Sequence, residues 1–234
     1  MEENEGYEYP MRINKYLAWK KISTRRGADE LVLNKKVAIN GKLAVLGSKV
    51  NEGDIVKIKE EKDPSKIKQY VYLAYNKPVG VETDSPKEGL FPLGRLDKAS
   101  HGLLILTNDG RITDRLLNPK YVHEKEYVVQ TKEKLRSSFK AKMEAGVKIE
   151  SAEGNYLTKP CKVKIINPTT FRIILTEGKK HQIRRMCSAL FQEVADLKRE
   201  RIMNIKLGNM KQKGTREIKG LELTTFLDQV LHQS

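Results

Sequence analysis

Residues 60–69, EEKDPSKIKQ, constrain this fold more than any other stretch. Six of the ten side chains are charged and Pro64 lies among them, so neither a buried helix nor a central strand can run through it. The chain must fold as a small unit before this stretch and a larger one after it. Four glutamates and no Lys or Arg fall within residues 1–9, which reads as a solvated, disordered tail. The expected organisation is therefore a tail at 1–9, a small domain at 10–60, a linker at 61–70 and a large domain at 71–234.

In the small unit, RINKYLAWKKI puts Ile13 and Leu17 at helical spacing. A second helix is expected through STRRGADELVLNKK, with Ser23 or Thr24 as its N-cap and Ala28, Leu31 and Val32 on its buried face. VAING and IVKIKE read as short strands, and Asn40-Gly41 supplies a tight turn.

The large unit mixes strands and helices without regular alternation. YVYLAYNK, HGLLILT, EKEYVVQT, CKVKII and TFRIILTEG read as strands. GRITDRLLN, KEKLRSSFKAKMEAG, KKHQIRRMCSALFQEV and FLDQVL read as helices. This pattern predicts an α+β fold, a small helix–strand domain followed by a mixed, mainly antiparallel sheet domain.

Charge narrows the partner. Lys and Arg number 45 against 30 Asp and Glu, a net +15, and residues 10–62 hold 13 of those cations against 6 acids. A phosphate polymer is the expected partner. Arg12, Lys15, Arg25, Arg26, Lys35, Lys36 and Lys42 are the candidate contacts in the small unit, and Arg185 in the large one. No run of 18 apolar residues exists, so no membrane-spanning helix is expected. The acidic N-terminus lacks the apolar stretch of a secretory signal, and two cysteines suit a reducing cytoplasm. No metal-ligand spacing and no phosphate-cradling glycine loop occurs, so no metal and no cofactor are expected.

One carboxylate stands out in this basic chain. Asp97 lies in FPLGRLDKASHGLLILTNDG between Arg95 and Lys98, just before an apolar strand. On spacing alone, a loop ion pair with either cation explains it. Beside an RNA strand it has a second use, since breaking a glycosidic bond builds positive charge at a sugar carbon that a carboxylate can stabilise or capture.

Two resemblances bear on that choice. Residues 11–58, with R-x-x-K-Y-L, the STRRGA segment, VAING and GDIV, resemble the S4 RNA-binding domain. STRRGA is one residue longer than the usual form, which leaves open whether Arg25 or Arg26 makes the usual contact. In the large unit, GRLDKASHGLLILTNDG resembles the signature of RNA pseudouridine synthases. YLAYNKPVGV, HEKEYVV and TEGKKHQIRRMCSALFQEVADLKRERI resemble three further motifs of that family, in the same order.

The two-domain layout resembles the RsuA-type branch, which modifies ribosomal RNA. CKVK and RERIMNIKLG lean towards its RluF-like group, which acts on large-subunit ribosomal RNA, although RIM stands here in place of RIG. Ala99 also departs from relatives that carry a second acid two residues after the nucleophile.

The resemblance implies isomerisation of a uridine to pseudouridine in ribosomal RNA, most naturally 23S, by a cytoplasmic and monomeric enzyme. It implies Asp97 as the nucleophile, Tyr127 as the residue stacked on uracil, and Arg184 as the partner of Asp97. Arg95, Ile183 and Lys77 are implied at the substrate. His181 has no acid role in that scheme and is expected to be structural or RNA-contacting. A ribosome-associated RNA-binding module would need only the S4-like part and leaves the ordered motifs of the large unit without a use.

Overall fold

The computed structural model describes residues 8–20, 22–59, 69–84, 87–151 and 154–231. The tail expected at 1–9 and the linker expected at 61–70 fall largely outside these residues. The chain divides into two compact units, residues 1–69 and 70–234.

In the first unit a short strand β1 (Met11–Arg12) leads into α1 (Ile13–Trp19) and α2 (Arg25–Leu33). Ile13, Leu17, Ala28 and Val32 are buried together, and Leu31 packs against them, as their spacing predicts. Thr24 caps α2, its hydroxyl accepting a 3.0 Å hydrogen bond from the Gly27 amide. β2 (Val37–Ile39) and β3 (Lys42–Leu43) form a hairpin through Asn40 and Gly41. Both turn residues have positive φ, 49° and 80°, which the twist of a two-residue hairpin requires. β4 (Lys49–Val50) pairs with β1, and β5 (Val56–Ile58) with β2.

The second unit is built on one large sheet. Its strands are β6 (Tyr72–Lys77), β7 (Phe91–Leu93), β8 (His101–Thr107), β9 (Lys125–Thr131), β12 (Lys162–Asn167), β13 (Thr170–Leu175), β14 (Val194–Ile202), β15 (Ile205–Lys206) and β16 (Thr215–Glu217). A separate hairpin joins β10 (Lys148–Ser151) and β11 (Gly154–Leu157). The helices are α3 (Thr113–Leu117), α4 (Phe139–Glu144), α5 (Gln182–Ala189) and α6 (Gly220–Leu231). The main path runs β12–β13–β9–β14–β8–β6–β16, with β7 on β8 and β15 on β14. Every pair is antiparallel except β14 with β8, which makes this the mixed, mainly antiparallel α+β fold expected.

Two differences from the sequence reading bear on the site. The helix expected from Lys132 forms only at Phe139–Glu144. The residues before it are drawn into neighbouring chain: the Lys132 amide bonds Glu193 O at 2.9 Å and the Leu135 amide bonds Pro168 O at 2.7 Å. A strand forms at β14, where no strand is expected from the residue pattern. Its register sets Arg199 opposite Tyr127 on one side and beside Gly102 on the other.

Besides a small apolar cluster of Tyr75, Leu104 and Leu106, the sheet carries two large ones. One joins Leu103 and Ile105 of β8 to Ile202, Ile205 and, from α6, Phe226 and Val230. The other joins Val129, Phe171 and Ile173 to Ile183, Met186 and Cys187 of α5. β8 reads HGLLILT because Leu103, Leu104, Ile105 and Leu106 are all fully buried, on both faces.

At the parallel β8–β14 pair the backbones approach closely. Gly102 has φ +105°, and a Cβ there would lie 2.3 Å from Arg199 O. Gly102→Ala is expected to cost about 2–4 kcal/mol through clash and backbone strain, read as a lowered midpoint in denaturant unfolding.

Candidate active site

The loop 94–100 joins β7 to β8, and Gly94, with φ +78°, turns the chain into it. Five successive carbonyls in this loop accept hydrogen bonds. Arg95 O takes one from Arg199 Nη1 at 3.4 Å, and Leu96 O one from Thr83 Oγ1 at 2.5 Å. Asp97 O accepts from the Ser100 amide at 2.9 Å and Lys98 O from the Gly80 amide at 2.8 Å. Ala99 O accepts from Arg184 Nη2 at 2.9 Å. Arg199 Nε also donates to Leu103 O at 2.7 Å, so one side chain grips both ends of the loop. The backbone that carries Asp97 is thereby fixed, while its side chain stays one-third exposed.

That carboxylate opens onto a cleft of about 540 Å³. Leu93, Leu116 and Ile202 wall it from the first apolar cluster, and Leu175, Ile183 and Leu197 from the second. Arg95, Asp97, Tyr127 and Ile183 all line it, as the sequence predicts. Tyr127 comes from β9, and the Arg199 guanidinium lies 6.0 Å from its ring centroid.

Two expectations are corrected. Arg184 does not reach the Asp97 carboxylate: its guanidinium is taken by Ala99 O and, at 3.2 Å, by Val194 O. The group that faces the carboxylate is His181, with Nε2 3.2 Å from Oδ1. Lys77, expected at the substrate, is fully buried. Its ammonium donates to Pro78 O at 3.0 Å and Val81 O at 2.6 Å, so it acts on Asp97 only through its charge.

His181 is held out by its own backbone. It takes φ +56° at the N-cap of α5. Glu177 and Gln182 brace the turn before it: Gln182 Nε2 donates to Glu177 Oε1 at 2.6 Å, and the Lys179 amide donates to Gln182 Oε1 at 2.9 Å. The Tyr156 hydroxyl donates to the same Glu177.

The cleft favours a polyanion. Lys125, Lys179, Lys180, Arg95 and Arg199 line it against two acids, Asp97 and Glu177. Burial, and then the charge of Arg199, push the Lys125 ammonium down to about 8. Burial also lowers Lys77, an effect that Asp97 partly offsets. Neither cysteine is activated, since burial raises Cys161 to about 11 and Cys187 to about 12. Among the described residues, no cluster of three or more potential metal ligands occurs.

Sequence patterning missed Lys125 because it is a cation within a strand read from its apolar residues, and Arg199 because no strand was expected where β14 lies. Alternation with Tyr127 marks Lys125 as sharing its face of β9. Nothing short of the β14 register marks Arg199.

In the first unit, Arg12, Arg25, Arg26, Lys35 and Lys42 are exposed, and Lys15 and Lys36 are half-buried. Arg25 and Arg26 open α2, whose first turn contains no acid. Cations at a helix N-terminus oppose the macrodipole by up to ~1 kcal/mol each, so helix stability does not account for them. Arg185, on α5, is half-buried and outside the cleft lining.

Residues 71–189 match the RNA pseudouridylate synthase family, and residues 11–56 match the S4 domain. The dual-specificity RNA pseudouridine synthase RluF of Escherichia coli (strain K12) is 39% identical over 214 residues, covering 86% of this chain and 72% of that protein. The ribosomal large subunit pseudouridine synthase B of Bacillus subtilis (strain 168) is 32% identical, covering 88% of this chain and 91% of that protein. A crystal structure of a pseudouridylate synthase superposes with a TM-score of 0.67 at 26% identity, over 94% of this chain and all of that one. With the match over residues 71–189 and an S4 domain earlier in the sequence, this chain belongs to the RNA pseudouridylate synthase family.

Proposed function

We propose that this enzyme converts a uridine of large-subunit ribosomal RNA to pseudouridine, with Asp97 as the nucleophile. The observation that carries the proposal is the Asp97 loop itself, whose successive carbonyls are pinned while its carboxylate faces an open, cation-lined cleft. The choice of RNA is supported by the likeness to the large-subunit synthase of Bacillus subtilis.

The target nucleotide must leave its stack to reach such a cleft, at a cost of a few kcal/mol that phosphate contacts offset. Tyr127 then offers a flat face for the base and Ile183 an apolar wall. Asp97 acts on the ribose, and the N1–C1′ bond breaks. The uracil turns within the cleft, and C5 joins C1′. The C5 proton leaves, N1 gains one, and no atom or electron is lost overall. Arg184 serves as a positioning residue through Ala99 O, and Arg199 through Arg95 O and Leu103 O.

The small domain, proposed to span 10–60, supplies RNA affinity through Arg12, Lys15, Arg25, Arg26, Lys35, Lys36 and Lys42. Arg95 and Arg185 add contacts from the large domain, proposed to span 71–234. The enzyme is proposed to act in the cytoplasm as a monomer.

Three outcomes are expected. Asp97→Asn lowers tritium release from 5-tritiated uridine in ribosomal RNA by at least about 10³-fold, while RNA affinity stays within about threefold in a filter-binding assay. Wild-type turnover in that variant removes the nucleophile. Arg25→Ala with Arg26→Ala weakens binding and flattens the plot of log affinity against log salt by about one per cation, with the rate at saturating RNA unchanged. Lys125 carries its charge below about pH 8 and loses it above. RNA affinity of the wild type is therefore expected to fall as pH rises through that value, and Lys125→Arg, which stays charged, to flatten the fall.

A further inference from the structure

Helix α5 ends in a way that its sequence makes costly. The Gln192 amide bonds Cys187 O and the Phe191 amide bonds Ser188 O, both at 2.9 Å. This is a Schellman closure, and its left-handed position is the one that glycine fills at least strain. Here Phe191 holds it, with φ +58°. The ring gains no burial in exchange, since Phe191 is 74% exposed. A strained backbone that also displays an aromatic side chain points to a use for the ring.

The surroundings indicate what the ring receives. The Arg136 guanidinium lies 5.2 Å from its centroid. A groove of about 490 Å³ runs beside it, lined among others by Lys132, Arg184, Ser188 and Gln192. Glu133 and Glu193 also line the groove, and Glu193 is neutralised by Lys132 at 2.5 Å. Two buried polar atoms of the lining residues, Gln192 Oε1 and Arg184 Nε, have no partner among the described residues. Arg184 belongs to this groove and also to the Asp97 loop, through Ala99 O. Arg184 therefore links the groove to the loop that carries Asp97.

We propose that Phe191 is a stacking platform for an unpaired base of the substrate RNA, next to the nucleotide that enters the Asp97 cleft. Every base has a π-face, and an aromatic ring flanked by cations binds such faces together with their phosphates. The proposal rests on the reading of this chain as an enzyme that acts on folded RNA, and it adds a second, non-catalytic nucleotide site.

The test uses the full chain and a large-subunit ribosomal RNA fragment carrying 5-tritiated uridine. Phe191→Ala and Phe191→Gly are expected to weaken binding about tenfold or more. Phe191→Tyr and Phe191→Trp are expected to stay within about threefold, and the added tryptophan fluorescence of the Trp variant is expected to be quenched by RNA. Phe191→Gly is expected to raise the melting temperature by relieving the left-handed strain, so its weaker binding is not a folding defect. Wild-type affinity in the Ala and Gly variants, or unquenched emission in the Trp variant, overturns the stacking site. Wild-type protein that binds but releases no tritium, with the same dependence on the ring, instead leaves the stacking site standing and removes the catalytic reading.

Discussion

The organisation of the second unit depends on how the backbone at residues 95–99 is satisfied. An exposed loop ordinarily leaves its carbonyls to water and moves accordingly. Here each of the five is claimed by a protein donor, and two of the donors are guanidinium groups from distant elements. Arg184 arrives from α5 and Arg199 from β14. The sheet, α5 and the loop are thereby tied to one another, and Asp97 is held by its main chain. Its carboxylate faces the cleft, with His181 beside it. An aspartate locked into a bidentate arginine pair would be better anchored and less available.

The two apolar clusters give the cleft its shape. Each supplies one part of its wall, so the opening lies where neither cluster closes over the other. The cations lining this opening differ in kind. Arg199 is buried and holds backbone. Lys125 lines the cleft and is close to losing its proton. One sets geometry and the other answers to pH. A ladder of ion pairs, Arg201 with Glu124 and Glu126, and Arg172 with Glu126 and Glu200, joins β9, β13 and β14. Individually such partly exposed pairs contribute little, but across strands they help fix register.

Much of this was legible in the residues. The buried faces of α1 and α2, the Asn40-Gly41 hairpin and the all-apolar β8 follow from spacing and turn chemistry. Asp97, Tyr127 and Ile183 follow from motif order, and the structure brings all three to one cleft. What escaped has a physical reason in each case. β14 reads VADLKRERI, and its charged residues are tolerated in a central strand because neighbouring strands and the β7–β8 loop supply their partners. Those partners lie 70 residues or more away in several cases. Helical periodicity sets Arg184 at the margin of the apolar stripe of α5, yet cannot say that a carbonyl would reach it before a carboxylate. His181 owes its position beside Asp97 to a left-handed backbone angle that composition does not encode. Lys77 was misjudged because the two carbonyls that take up its ammonium, Pro78 O and Val81 O, come from a turn whose path only the fold reveals.

The parallel pairing of β8 with β14 has a consequence in time. Residues 101–102 lie against residues 198–199, so the strand bearing the clamp is translated almost a hundred residues after the loop that it grips. A nascent chain that has emerged through Tyr127 already contains the acid, the aromatic ring and the Gly80, Thr83 and Ser100 donors to the loop, yet neither guanidinium that grips it. The full set of contacts to the loop comes together only late in synthesis, when this last interior strand is inserted. A truncated product would carry Asp97 on a loop that lacks two of its five donors.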